Sequence, residues 1–312
     1  MSTVLVTGAA GFIGHHVVEK LVETGYRVIA LDNLVRASPR GIKVLRDLGL
    51  DLVTVDIRDL GGMKRLLEEY RPEAIVHAAA LIDVYESTRL PDLYVDVNVR
   101  GTAVLLRASV EAGVSRFIYL SSAAVYGEPV CLPIDEEHPT NPLSPYGASK
   151  LGGEYLVKSM QRSVGKPDYV ILRLFNVYGP GQDPASPYAG VISKFVSNAT
   201  RGESLVIYGD GEQTRDFIHV DDVVEAIIRS LETEHINEVY NIGSGKSVKI
   251  KELAEVVKEL AGRKELQLLY REPRPGDIKY SCANIEKALR KLNWRPRKDL
   301  KQGISELLET TT

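Results

Sequence analysis

Tyr146 and Lys150 stand four residues apart in Tyr146-Gly-Ala-Ser-Lys150, about two dozen residues after Ser121-Ser122. On a helix that spacing puts phenol and ammonium on one face, a turn apart. A free phenol, with a pKa of about 10, is a poor base at neutral pH. A lysine charge beside it favours the phenolate. A phenol shifted that way can take the proton from a sugar or alcohol hydroxyl while hydride leaves the same carbon. The same spacing also occurs on plain exposed helix faces, so the chemistry depends on what the rest of the chain brings to Tyr146.

Hydride needs an acceptor, and the start of the chain offers a place for one. Thr7-Gly8-Ala-Ala-Gly11-Phe12-Ile13-Gly14 follows an apolar run and opens a segment of helical period. Glycines there permit a tight turn and let backbone N–H groups approach a pyrophosphate at the positive end of a helix. The Gly-x-x-Gly-x-x-Gly spacing is one residue longer than the standard dinucleotide fingerprint. Asp32 lies 24 residues after Gly8, at the end of the second apolar run. It is placed to accept from both adenosine-ribose hydroxyls, which disfavours a 2′-phosphate and selects NAD over NADP. Arg36 and Arg40 pull the other way. Asp56-Ile57, after the third run, has the position of an adenine-edge contact, and for both acids an ordinary loop carboxylate is the competing reading.

Val4–Thr7, Arg27–Leu31, Leu52–Val55, Ala74–His77, Phe117–Ser121 and Tyr169–Leu174 are the strands expected to position these residues. None alternates polar with apolar, so burial on both faces is expected. Between them Phe12–Glu23, Leu60–Tyr70, Pro91–Ala112 and Pro145–Ser163 carry apolar positions at helical spacing. Strand-helix-strand repetition predicts an α/β fold with a Rossmann-type, doubly wound parallel sheet, spanning residues 1–175. After the turn-rich Gly179–Pro187 stretch, residues 176–312 are expected to form a smaller C-terminal α/β substrate domain, with strands at Ser204–Tyr208 and Leu266–Tyr270. Asp216–His219 and Glu238–Ile242 are expected to return to the main sheet.

The bulk numbers narrow the classes. With 39 basic against 42 acidic residues, and a net charge of −3, no nucleic-acid-coating surface is expected. No apolar run approaches the roughly 20 residues of a membrane span. Cys131 and Cys282 have no metal-ligand spacing, and both are expected as reduced thiols of a cytoplasmic protein. The histidines, His15-His16 included, show no ligand spacing either, and no metal is expected. Val220-Asp221-Asp222 is expected as a helix N-terminus with an acidic first turn.

The ordered set of Gly8-x-x-Gly11-x-x-Gly14, Asp56, His77-Ala-Ala-Ala80, Asn98, Ser121-Ser-Ala-Ala-Val-Tyr-Gly127, Tyr146-x-x-x-Lys150, Arg173-Leu-Phe-Asn-Val-Tyr-Gly-Pro180, Arg215-Asp-Phe-Ile-His-Val-Asp-Asp222 and Arg274-Pro-Gly-Asp277 resembles the extended short-chain dehydrogenase/reductases, in their nucleotide-sugar epimerase branch. The resemblance implies bound NAD and 4-epimerisation of a UDP-hexose, UDP-galactose to UDP-glucose. It implies Tyr146 as base, Ser122 on the reacting oxygen, and Lys150 on the nicotinamide ribose. Cofactor contacts carry over to Gly8, Gly11, Phe12, Ile13, Gly14, Asp32, Asn33, Asp56, Ile57, Ala78, Ala79, Ala80, Asn98, Ser121 and Phe175. Substrate contacts carry over to Asn176, Gly190, Val191, Val206, Tyr208, Arg215, Arg274 and Asp277, besides Ser122 and Tyr146. The two arginines offer a diphosphate the planar fork of a guanidinium, with an ion pair as the competing reading. Pairing of the helices at Pro91–Ala112 and Pro145–Ser163 across a two-fold axis implies a homodimer.

Departures from the family pattern separate cousins. Ala123 and Ala124 stand where the branch's 4,6-dehydratases carry an acid pair, and alanine cannot move a proton. Ser281 stands where some epimerases limit the sugar pocket with a tyrosine, which implies room for N-acetylated hexoses, although Tyr280 is adjacent. Ile82 replaces a lysine found in several members. Competing expectations are an epimerase or reductase on another nucleotide sugar (UDP-N-acetylhexosamine, UDP-glucuronate or a dTDP-sugar), or a non-catalytic NAD-binding regulator on the same fold.

Overall fold

The computed structural model describes residues 2–184, 189–273 and 277–311. Its central strands lack polar positions because neighbouring residues of one strand enter two different cores. Val4, Val6, Ile118, Leu120, Val170 and Leu172 pack on one face of the sheet, and Leu5, Phe117, Tyr119, Tyr169 and Ile171 on the other. Both faces are apolar, so the alternation disappears from the sequence.

In chain order the first part comprises β1 (Thr3–Thr7), α1 (Phe12–Glu23), β2 (Arg27–Leu31), α2 (Pro39–Asp47), β3 (Leu52–Val53), α3 (Leu60–Tyr70), β4 (Ala74–His77), α4 (Val84–Arg89), α5 (Pro91–Tyr94), α6 (Gly101–Ala112), β5 (Arg116–Ser122), α7 (Pro145–Val164) and β6 (Asp168–Leu174). The second part comprises β7 (Asn176–Tyr178), α8 (Val191–Arg201), β8 (Leu205–Tyr208), β9 (Thr214–His219), α9 (Val220–Glu232), β10 (Glu238–Ile242), β11 (Ser247–Lys249), α10 (Ile250–Leu260), β12 (Leu268–Arg271), α11 (Glu286–Lys291) and α12 (Leu300–Thr311). Seven parallel strands form the main sheet in the order β10-β6-β5-β4-β1-β2-β3. The order in which strands are added reverses between β1 and β4, and ligands of such sheets bind in the crevice at that switch point.

The return of the chain to this sheet differs from the expectation at one strand. β10 pairs with β6 at the sheet edge. β9 instead lies between β7 and β11 in a separate three-stranded sheet, because its register partners are Asn176–Tyr178 and Ser247–Lys249. Apart from β10, α9 also returns to the main sheet, packing over β5 and β6, and its Val220, Val223, Val224 and Ile227 enter the core shared with α1. Trp294 joins them, fully buried, its indole N–H donating to the Asp222 carbonyl at 2.8 Å. His219 is the N-cap of α9, and the Asp222 carboxylate accepts from the backbone of Arg297 and Lys298, pinning the C-terminal segment.

Pro91–Ala112 is not one regular helix: Val95–Arg100 forms a π-helical turn between α5 and α6. The extra residue in that turn carries Asn98 toward the loop after β4. The short helices α2 and α4 were not anticipated, although each has a readable cap. Ser38 accepts from Gly41 N ahead of Pro39, and Asp83 accepts from Glu86 N. No helix among the described residues is long and apolar enough to cross a membrane.

Candidate active site

α7 places Tyr146 and Lys150 where the sequence predicts, on one face at the helix start. Ser144 caps that helix, accepting from Gly147 N at 3.1 Å, and Pro145 presets its first turn. Ser122 arrives from the C-terminal end of β5, its hydroxyl held by a hydrogen bond from Ala124 N at 3.2 Å. All three line one cleft of about 500 Å³. Tyr94 meets the Tyr146 ring edge-on at 6.4 Å and fixes its plane.

The electrostatics differ from the simple pairing. Burial pushes the Tyr146 phenol up from its ordinary value, and a hydrogen bond with Ser122 works against that. Lys150 Nζ lies over the Tyr119 ring, 4.5 Å from its centroid, and not on the Tyr146 hydroxyl. Burial pulls Lys150 down to about 7, with the Glu154 charge opposing. At neutral pH the lysine is therefore poised between its two forms, which makes its charge tunable by neighbours.

The dinucleotide turn follows β1, and β4's loop closes against it. Gly8 has a φ of +69°, and a Cβ there would lie 2.8 Å from Ala79 N, so only glycine lets the two loops meet. Thr7 Oγ1 reaches His77 Nδ1 at 2.8 Å and accepts from Ala79 N at 3.3 Å, tying the strand ends together. Gly11 caps α1 without a side-chain bond, and no acid occupies its first turn. That helix start thus presents backbone N–H groups and a positive end to the cleft, which fits a pyrophosphate. Asp32 is buried beside it, its carboxylate oriented by Ala10 N at 3.1 Å and Leu34 N at 2.8 Å. Arg36 Nη2 donates to Glu86 Oε1 at 2.7 Å, pairing the basic group that argued for NADP with an acid.

Gly8, Gly11, Phe12, Ile13, Gly14, Ala78, Ala80, Ser121, Ser122, Tyr146, Lys150, Phe175, Asn176, Gly190 and Val191 all line the cleft. Asp32, Asn33, Asp56, Ile57, Ala79, Asn98, Val206, Tyr208, Arg215 and Asp277 are not among its lining residues. Asn98 is 1% exposed and serves the groove from behind, exchanging two hydrogen bonds with the Leu81 backbone and donating to Ser149 Oγ. Ser121 Oγ is turned away to Glu154 Oε1 at 2.6 Å. Asp56 accepts from Arg58 and Asn33, and Arg58 chiefly holds its carboxyl well below the usual range. Ile57 is buried against Gly101. Arg215 donates to Asp277 Oδ1 at 2.6 Å, so these two expected substrate contacts face each other as an ion pair. Val206 and Tyr208 pair with β12 in a two-stranded sheet. Arg274 lies outside the described residues. His219, Asp221 and Glu306 approach one another within 4.8 Å, and the Lys298 ammonium reaches both carboxylates, at 2.9 and 2.5 Å.

Sequence reasoning missed Tyr94, Asp83 and Glu86 in the lining. Asp83 N donates to Tyr94 Oη at 3.0 Å, and that hydroxyl donates to Glu86 Oε2 at 3.0 Å. The Asp83 cap was the available signal, since it fixes α4 beside the cleft.

The family model of the NAD dependent epimerase/dehydratase family matches residues 4–243. The chain belongs to that family. A protein of Methanocaldococcus jannaschii is 42% identical over 306 residues, 98% of this chain and 97% of that one. The Thermotoga maritima UDP-glucose 4-epimerase structure with UDP-glucose superposes with a TM-score of 0.94 at 39% identity, covering 98% of this chain and 97% of that chain. The UDP-N-acetylglucosamine 4-epimerase of Methanobrevibacter ruminantium, in complex with UDP-N-acetylmuramic acid, gives 0.92 at 38% identity, covering 99% and 97%. NAD is the cofactor of the family, and the uncapped α1 start with its glycine cradle fits it.

Proposed function

We propose that this chain is an NAD-dependent 4-epimerase of UDP-hexoses, interconverting UDP-galactose and UDP-glucose. The observation that carries the reading is Tyr146, Ser122 and Lys150 on the wall of the same cleft as the dinucleotide turn. NAD, when bound, accepts hydride from C4 of the sugar and returns it to the opposite face. Gly8, Gly11 and the α1 start would hold its pyrophosphate, Asp32 its adenosine ribose, and Lys150 the ribose at the other end.

The chain's own residues move one proton. Tyr146 takes it from the 4-hydroxyl and gives it back after the 4-keto sugar has turned, while Ser122 holds the reacting oxygen. Lys150, in its charged form, favours the phenolate at the moment the proton transfers. Ala123 and Ala124 supply no second acid or base. Of the acids in the lining, Asp83 caps α4 and Glu86 is bound by Arg36 and Tyr94. The site is built to oxidise C4 and reduce it again, without elimination.

Ser281 is buried and Tyr280 is 42% exposed, but neither lines the cleft, so this pair gives no support to the expected room for N-acetylated hexoses. Purified protein is expected to interconvert UDP-galactose and UDP-glucose with no added reductant. Activity only on dTDP-sugars, in a panel of UDP- and dTDP-sugars, would overturn the reading.

We further infer a homodimer formed through the α5–α6 segment and α7. Tyr85, Val95 and Tyr155, on α4, the π-helical turn and α7, are 66%, 53% and 60% exposed, large apolar side chains that such a pairing would cover. Sedimentation is expected to give twice the 34.4 kDa chain mass, and Tyr155→Glu is expected to return the monomer.

A further inference from the structure

Tyr146 and Lys150 are the first two members of a row that continues, at the same spacing on α7, to Glu154. Glu154 is 0% exposed, and its carboxylate is the hub of the contacts beneath the cleft. It accepts from Ser121 Oγ at 2.6 Å, from Arg173 Nε at 2.9 Å and Nη2 at 2.8 Å, and from Lys158 Nζ at 3.4 Å. Burial is the strongest single effect and would raise this carboxyl, but the hydrogen bonds and charge of Arg173, with Ser121 and Lys158, together outweigh it and hold it below its ordinary value.

A buried carboxylate with a bidentate arginine has the geometry of a structural clamp, and it fixes α7 against β5 and β6. Its place in the row gives it a second effect. Ser121 is the residue before Ser122, so the bond to Glu154 ties the end of β5 to α7. One turn away from Glu154 is Lys150, whose ammonium has lost its water.

We propose that Glu154 is a positioning residue for the reaction assigned above: one turn along α7 from Lys150, it favours the charged form of that lysine, and it anchors the strand end that presents Ser122. The charged and titratable groups around the pair are few. Tyr146 and Lys158 lie on α7 itself, Tyr119 and Ser121 on β5, His77 on β4, and Arg173 and Tyr169 on β6. His77 is neutral, pulled down to about 3 by burial and by the Lys150 charge. Among the described residues, Glu154 is thus the anion whose field reaches Lys150.

The sign follows from linkage. Removing the negative charge lowers the lysine's pKa, so less of it is cationic at any pH above that value. In holoenzyme labelled with [13Cε]lysine, the Lys150 resonance, assigned by its loss in Lys150→Met, is expected to titrate at least about one pH unit lower in Glu154→Gln than in the wild type. The alkaline limb of kcat is expected to move down with it, and Glu154→Asp to recover part of both. Glu154→Gln leaves Arg173 buried without its anion and can unfold for that reason alone. The same substitution is therefore also compared against Arg173→Met, in which that arginine is absent, and the lysine titration is expected to fall there as well.

An unchanged Lys150 titration in both backgrounds, whatever happens to turnover, overturns the proposal and leaves Glu154 as a clamp for Arg173. The titration needs no sugar. A protein inert on UDP-hexoses whose Lys150 still responds to Glu154 would therefore refute the assigned substrate and not this inference.

Discussion

Tyr146→Phe is expected to retain the fold and bound NAD and to lose turnover by roughly 10²–10⁴-fold, the range spanned by a positioned general acid–base. The argument for separating the two effects is geometric. The substitution deletes one oxygen and keeps the ring that Tyr94 braces edge-on. The lost hydrogen bond to Ser122 is worth about 0.5–1.5 kcal/mol, too little to unfold a chain of this size. Gly8, Gly11 and the α1 start are untouched, so cofactor content after purification, read by acid release and absorbance, should match the wild type. No second base lies at the same place: Ser122 accepts from Ala124 N and keeps its own proton, but a serine hydroxyl is too weak a base to replace the phenol, and Tyr94 is committed to Asp83 and Glu86. Near-normal kcat on UDP-galactose in this variant would sink the assignment of Tyr146 as the base. A loss of turnover accompanied by loss of NAD would instead make it a binding residue.

The contrast between Tyr146 and the missed or misplaced residues shows what a sequence carries locally. The Tyr146–Lys150 spacing, the glycine turn and the buried strands are each written in contiguous residues. Leu5 between Val4 and Val6 marks a strand with two apolar faces whatever lies beyond it. Arg215 and Asp277, by contrast, are 62 residues apart, and nothing near either one signals that they pair. Each alone has the chemistry of a ligand contact. Glu154 and Arg173 pose the same difficulty across 19 residues, since a helix position and a strand position become neighbours only when α7 packs on the sheet. β9 reads Thr-Arg-Asp-Phe-Ile-His, and its place in a second sheet depends on β7 and β11 as partners. Asn98 stands out in the sequence by position, but its hydrogen bonds to Leu81 run through a π-helical turn that periodicity at 3.6 residues conceals. Locally encoded chemistry was legible, and charge pairing across elements was not.

Within the glycine turn itself, two alanine substitutions are expected to fail in different ways. A Cβ on Gly14 would lie 1.9 Å from the Gly8 carbonyl oxygen and 2.9 Å from Ala9 Cα, both backbone atoms. Neither can rotate aside, so the turn has to open and α1 has to shift on the sheet. Overpacking of that kind costs about 1–3 kcal/mol or more. At roughly 2–4 °C per kcal/mol for chains of 150–250 residues, Gly14→Ala is expected to lower Tm by about 5 °C or more in cofactor-free protein. It should also purify with little NAD, because the moved N–H groups no longer converge. A Cβ on Gly11 meets only the Gly8 oxygen, at 3.1 Å, a contact that a few tenths of an ångström relieves. Gly11 is also the uncapped start of α1, where a pyrophosphate would approach the backbone most closely. Gly11→Ala is therefore expected to melt near the wild type when stripped of NAD and to lose most of the stabilisation that added NAD gives the wild type. Thermal melts of the three stripped proteins, with and without NAD, distinguish the cases. A Gly14→Ala protein that melts and binds NAD like the wild type would show that the close approach of Gly8 and Gly14 is not what shapes the cradle.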